Sequence, residues 1–196
     1  MIAAYMLTCP ERVAIREEAV RSFAETDWGA GIEVYLNEVT EGRPEQRMAV
    51  GTLALLRRAL AGTCDYFLIC EDDVLFDPRL WARLAVWGPL RAGKVEMASL
   101  YNLGAMAVGV SPFADAIAVD PESALGSQAR LFSRGCAELI VREYRPSAWL
   151  HDVAMARLAA RRGPIFYHVP SLVQHVGRES TWGGPFHEAL DFTGAA

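Results

Sequence analysis

Residues 66–70 read Tyr-Phe-Leu-Ile-Cys, and the run gives way without a spacer to three carboxylates, Glu71, Asp72 and Asp73. An apolar, aromatic-rich run this short reads as a buried strand rather than a helix. The carboxylates therefore stand where a buried strand emerges, at its carboxyl end, the edge at which open α/β sheets bind ligands. Three adjacent carboxylates repel one another, and partial burial adds to the cost. A divalent cation offsets it, and hard cations such as magnesium or manganese prefer oxygen ligands. The competing reading is a solvated acidic turn that caps a helix starting near Pro78. An isolated Glu-Asp-Asp supports only that; the strand in front of it brings the metal reading level.

The chain around this stretch alternates strands and helices. Residues 2–7 form an apolar strand ending at Thr8-Cys9-Pro10, and Pro10 and Glu11 suit the first turn of a helix with Val13, Val20, Phe23 and Ala24 along one face. After the break at 27–31 a second strand spans 32–36. A helix over 45–61 carries Met48, Thr52, Leu55 and Ala59 on one stripe and is closed by Gly62. With the strand at 66–70 the order is β-α-β-α-β, which predicts a single α/β domain with a mostly parallel central sheet flanked by helices. Beyond the acidic cluster a helix is expected over 78–87, a strand over 96–101, extended pieces within 102–127, the strand Ala129–Ser133, and a helix over 135–144. A further helix introduced by Pro146 and Ser147 carries Leu150, Ala154 and Leu158, and Ile165–His168 is the final strand. Residues 170–196 show neither period, and such segments are covers or disordered ends. The expected division is a catalytic domain over 1–177 and a flexible, Gly-rich tail over 178–196.

Composition narrows the function classes. At 196 residues and 52% hydrophobic the chain has enough apolar material for one core. A net charge of −5 gives no general attraction to nucleic acid. No stretch has the length of a bilayer span, and the first residues lack the basic region of a signal peptide. Cys9, Cys64, Cys70 and Cys136 have neither CxxC nor Cys/His ligand spacing, as expected of reduced thiols in a cytoplasmic protein. Neither GxGxxG nor GxxxxGK[ST] is present, so no dinucleotide fingerprint or P-loop supports phosphate binding.

Four segments, in order, carry a resemblance. The helix from Met48 into Tyr-Phe-Leu-Ile-Cys-Glu-Asp-Asp-Val resembles the bacterial lipooligosaccharide galactosyltransferases. Ala-Arg-Leu-Phe-Ser-Arg-Gly-Cys-Ala-Glu-Leu over 129–139 resembles the strand-helix segment of many nucleotide-sugar transferases. Trp-Leu-His-Asp-Val over 149–153 falls where such enzymes place an acceptor-side carboxylate. Pro-Ser-Leu-Val-Gln-His-Val-Gly over 170–177 resembles the ending of the branching N-acetylglucosaminyltransferases, whose histidine lies near the metal. Together they resemble a glycosyltransferase of the GT-A fold, with two departures: Glu-Asp-Asp stands in place of Asp-X-Asp, and His151 precedes Asp152 where an acidic or neutral residue is usual. The resemblance implies a nucleotide-sugar donor, most simply a UDP sugar, and a Mn²⁺ or Mg²⁺ ion. It makes Asp73 the direct metal ligand, has Glu71 and Asp72 place metal, water and ribose, and brings His175 to the same ion.

The chemistry of transfer fits those assignments. A metal ion acting as a Lewis acid neutralises charge on a departing diphosphate, and an inverting transfer needs one carboxylate to take the acceptor's proton. Asp152, at a helix start, is the candidate base, although an acid there also stabilises the helix dipole. His151 is a rival base or the partner that orients it. Thr8 and Arg12 follow the first strand and by position frame the base and ribose; Arg178 is placed to approach a phosphate. Trp149 and Trp182 could stack on sugars, while His168 and His187 carry no signal of their own. Two other readings use the same residues: a metal-dependent nucleotidyltransferase or phosphohydrolase, and a non-catalytic nucleotide-sugar-binding module. The first lacks the expected lysine-rich phosphate grip, since Lys94 is the one lysine. The acceptor hydroxyl, on a glycan, a protein or a modified nucleobase, is left open.

Overall fold

The computed structural model describes residues 1–103, 114–146, 150–178 and 186–194. The chain opens with strand β1 (Ile2–Thr8), helix α1 (Val13–Ala24), strand β2 (Glu33–Leu36), helix α2 (Pro44–Leu60) and strand β3 (Tyr66–Glu71), in the order expected. Then come β4 (Val74–Phe76), α3 (Leu80–Val86), α4 (Gly88–Arg91), β5 (Met97–Ser99), β6 (Ala116–Val119) and a 3-10 turn (Pro121–Ser123). The remaining elements are β7 (Ala129–Ser133), α5 (Arg134–Glu143), α6 (His151–Ala160), β8 (Ile165–His168) and β9 (Val173–His175).

Seven strands form the central sheet in the order β2-β1-β3-β7-β5-β8-β6. β1 pairs in parallel with β2 and β3, and β5 in parallel with β8. β7 is antiparallel to both of its neighbours, β3 and β5, and β6 is antiparallel to β8. Five strands thus share one direction, the mostly parallel α/β sheet that the element order predicts. The antiparallel β7 decides where the site forms. Cys70, near the carboxyl end of β3, pairs with Ala129 at the start of β7. The loop entering β7 therefore arrives beside the acidic cluster.

Both faces of the sheet are covered, as the nearly continuous apolar run of β3 requires. Phe67 and Ile69 point into one core with Leu53, Leu56, Ile140 and Met155 from α2, α5 and α6. Leu68 and Cys70, alternating with them, point into the other with Phe23, Leu80, Leu84 and Trp87. No helix among the described residues is long and apolar enough to cross a membrane.

Several boundaries differ from the sequence reading. The helix expected over 78–87 stops at Val86, where Trp87 turns extended, and Pro89 opens the short α4. The strand expected over 96–101 is limited to Met97–Ser99. The segment after Pro170, which shows no strand pattern, contains β9. It pairs antiparallel with β4, setting Val74 opposite His175 and Phe76 opposite Val173. Three-residue strands are too short to display alternation, and their partners are far apart in the chain. The described part of the tail, 186–194, lies against the body: Ala189 is buried in the second core. Its amide donates to Gln174 Oε1 (2.8 Å), and Asp191 accepts from Asn102 Nδ2 (2.8 Å) and Ser171 Oγ (2.6 Å).

Candidate functional site

The carboxyl ends of β1 and β3 lie side by side, because Leu7 pairs with Glu71. Residues just beyond each strand therefore meet. Thr8 Oγ1 donates to Asp72 Oδ2, and Arg12 Nε donates to both Asp72 oxygens, at 2.8 and 3.0 Å. The same guanidinium reaches Asp73 Oδ2 through a terminal nitrogen at 2.8 Å. Asp72 is nearly inaccessible. Burial raises its pKa, and that outweighs the opposing pull of Thr8 and Arg12. For Arg12, burial disfavours the charge, but the two aspartates more than compensate and its pKa rises.

Asp73 is shared between two elements. Besides Arg12, His175 Nε2 from β9 stands 3.6 Å from the same oxygen, Asp73 Oδ2. His175 Nδ1 donates to the His187 carbonyl at 2.9 Å, which fixes the tautomer and turns the Nε2 lone pair of the neutral ring toward Asp73. Two lone-pair-bearing groups facing each other need a cation between them. Burial disfavours a proton on His175, but Asp73 and the His187 carbonyl outweigh it and raise the His175 pKa. Burial likewise works against the charge on Asp73, yet His175 and Arg12 hold its pKa below the ordinary carboxylate value. Asp73 Oδ1 is buried and has no hydrogen-bond partner. Gly177 closes the arrangement, since a Cβ there would stand 2.5 Å from Asp73 Oδ2 and 2.9 Å from His175 Nε2.

These features fit a hard or borderline divalent ion. Asp73 offers Oδ1, a buried oxygen without a partner among the described residues, and His175 presents an imidazole nitrogen to the carboxylate's other oxygen. The space between them is kept open by a residue without a side chain. Among the described residues no group of three or more His, Cys, Asp or Glu side chains could hold a metal ion.

Glu71 faces the other way, into a narrow cavity lined by Thr52, Ser127, Arg130, His151 and Met155. Ser127 Oγ donates to Glu71 Oε1. Burial, reinforced by Asp73, pushes the Glu71 pKa up to about 8. Beside it, the Gly126 amide donates to Asp152 Oδ2 at 2.7 Å. Arg130, on the central strand β7 and 2% exposed, ties this region together. It donates to the carbonyls of Ala124 (2.9 Å), Gly126 (2.9 Å) and Asp152 (3.1 Å), and stands 4.0 Å from Asp152 Oδ2. The loop before β7 and the first turn of α6 are thereby held by one guanidinium.

His151 lies deeper. Its ring nitrogens meet the hydroxyls of Thr52 (3.3 Å) and Tyr144 (3.1 Å), and burial lowers its pKa to about 4. It is neutral and enclosed, whereas the Asp152 side chain keeps 21% of its surface accessible. Arg178 is exposed. Trp149 and Trp182 lie outside the described residues. Sequence reasoning missed Arg130, Tyr101, Gly126, Gly177 and His187. His187 stacks on His175 with ring centroids 4.5 Å apart, and its Nδ1 is hydrogen-bonded to the Tyr101 hydroxyl at 2.6 Å. Only the Gly of the Gln-His-Val-Gly ending offered a signal, as a glycine close to a proposed ligand.

No protein-family model and no curated protein sequence matches the chain. Solved structures do. A Staphylococcus aureus TarS fragment, residues 1–349, in complex with UDP-GlcNAc superposes with a TM-score of 0.64 at 12% identity over 94% of this chain. A glycosyltransferase involved in glycosylating the major capsid of PBCV-1 superposes with a TM-score of 0.62 at 12% identity over 92% of it. The chain spans 61% of the TarS fragment and 95% of the viral enzyme. The fold is therefore that of a GT-A-like glycosyltransferase.

Two outcomes follow from this geometry. Because His151 is held neutral, the unfolded chain binds a proton that the folded one refuses between the ordinary value of 6.5 and about 4. Its contribution is intact above pH 6.5 and is lost as pH falls to about 4, by on the order of 3 kcal/mol. Urea unfolding from pH 7 to pH 4 should show the stability gap between wild type and His151→Gln shrinking; a constant gap contradicts this. Gly177→Ala forces a methyl group between Asp73 and His175, so Mn²⁺ affinity should fall about 10- to 100-fold, as for disturbed ligand orientation. Titration calorimetry with Mn²⁺ and UDP checks it, and unchanged affinity refutes it.

Proposed function

We propose that this protein is a metal-dependent glycosyltransferase that moves a sugar from a UDP sugar to an acceptor hydroxyl with inversion, Asp152 serving as base. The single observation that carries the proposal is the convergence, at one sheet edge of this fold, of the Asp73–His175 pair with the accessible Asp152 carboxylate.

On this reading Asp73 and His175 would hold the ion, which when bound would supply Lewis-acid neutralisation of the charge on the departing UDP. Asp72, fixed by Thr8 and Arg12, lines the nucleotide side, and Arg178 lies on the exposed rim at the end of the same segment. Asp152 takes the proton of the attacking hydroxyl. The Gly126 amide and Arg130 hold its carboxylate in one orientation, so the reacting geometry exists before the acceptor arrives. His151 sits behind Asp152 as a neutral, enclosed support. Its burial argues for Asp152 rather than His151 as the group that meets the acceptor. All four cysteines are free thiols, in keeping with a reducing, cytoplasmic setting.

UDP should raise the melting temperature in the presence of Mn²⁺ and much less in its absence. Asp73→Asn, which replaces an anionic ligand by a neutral amide, should remove that metal-dependent part while the fold persists. Asp152→Asn should leave UDP binding intact and slow transfer about 10²- to 10⁴-fold, the range for loss of a general base. Metal-independent stabilisation by UDP overturns the metal assignment. Near-wild-type transfer by Asp152→Asn, or a product that keeps the donor's anomeric configuration, overturns the base.

A further inference from the structure

The loop at 124–128 runs past both Glu71 and Asp152, and several of its polar groups are hydrogen-bonded. The Ala124 and Gly126 carbonyls accept from Arg130, the Gly126 amide donates to Asp152, and the Ser127 hydroxyl donates to Glu71. The Leu125 carbonyl accepts from the Tyr167 hydroxyl at 2.6 Å, and the Gln128 carbonyl from the Glu71 amide at 2.9 Å. The side-chain oxygen Oε1 of Gln128, a residue only 7% exposed, has no hydrogen-bond partner. An unpaired buried acceptor costs stability, and one held against the glycine whose amide binds Asp152 points to a ligand.

Its place indicates which ligand. Gln128 Oε1 lies against Gly126, 2.6 Å from where a Cβ on that glycine would be. Gly126 has a φ of +86°, a conformation that L side chains rarely adopt, and it carries the amide bonded to Asp152. Tyr101, whose ring is 3.6 Å from the same point, leads to the metal side: its hydroxyl meets His187, and its ring centroid is 6.4 Å from that of His175. Gln128 thus lies beside the glycine that holds Asp152, with Tyr101 leading from the same point toward His175. In a transfer reaction the space between base and diphosphate is filled by the sugar being moved.

We propose that Gln128 is a specificity-determining residue whose amide oxygen accepts a hydrogen bond from a hydroxyl of the donor sugar. This rests on the transferase reading above. Being an acceptor, Oε1 selects a ligand that presents a donating group there, and a sugar with that hydroxyl removed or methylated leaves the oxygen unpaired. Sites built to pair with a substrate hydroxyl discriminate strongly for this reason. The arrangement also predicts an unusual separation of effects. Replacing Gln128 by methionine, similar in shape but without the amide, removes the unpaired group and should not lower the melting temperature. It should selectively weaken sugar binding.

The test is calorimetric binding of UDP, UDP-glucose, UDP-galactose and UDP-GlcNAc, each with Mn²⁺, to wild type, Gln128→Met and Gln128→Ala. UDP affinity should stay within about twofold in both variants. For the best-bound UDP sugar, the ratio of its affinity to that of UDP should drop about tenfold or more, the loss expected for one hydrogen bond to a buried group. An unchanged ratio in both variants overturns the inference alone. Equal losses for UDP and UDP sugar, with a lowered melting temperature in both variants, mark Gln128 as structural and also overturn it. A wild-type protein that binds neither UDP nor any of the sugars overturns the transferase reading, and this inference with it.

Discussion

Charge placed at the end of a buried strand is the constraint that the rest of the structure answers. Glu71, Asp72 and Asp73 leave the sheet together, and each carboxyl is met by a different set of partners. Asp72 goes to Thr8 and Arg12 beyond β1, Asp73 to Arg12 and His175, and Glu71 to Ser127 before β7. Differing surroundings, with Arg12 shared by Asp72 and Asp73, move the pKa values of these adjacent acids apart. Glu71 is pushed up to about 8 by burial, while Asp73 is held low by His175 and Arg12. Environments that drive neighbouring carboxyls apart in this way mark sites of chemistry.

The antiparallel strand β7 is the second organising element. Inserted between β3 and β5, it reverses the chain so that its entry loop, rather than its exit, reaches the ligand-binding edge. Its buried Arg130 then spends its donors on backbone carbonyls of that loop and of α6. A guanidinium deep in a sheet is expensive to desolvate unless fully hydrogen-bonded. Here it fixes the position of Asp152, and that role accounts for a polar residue in a strand where an apolar one would pack more simply.

Much of this was legible in the chain. The first five elements follow from periodicity and breakers, and the acidic cluster from its place after an apolar run. The pairing of Asp73 with His175 rested on resemblance, because β4 and β9 are too short to show a period and their contact is long-range. Arg130 was hidden within a strand pattern, and nothing local distinguishes a buried arginine from a solvated one. Gln128 and Gly126 were invisible for the same reason: their significance lies in which hydrogen bonds are made around them. His187 lies in a segment without pattern, and only packing on Tyr101 and His175 draws it into the site.

The account turns on Asp73 and His175 acting as one metal-binding pair brought together by β4 and β9. A crystal structure of the complex with UDP and Mn²⁺, with anomalous scattering recorded at the manganese edge, tests it most directly. The account predicts one anomalous peak within about 2.0–2.6 Å of both an Asp73 carboxylate oxygen and His175 Nε2, touching the diphosphate. A peak coordinated by other side chains, or bound UDP with no manganese between these two residues, would contradict it.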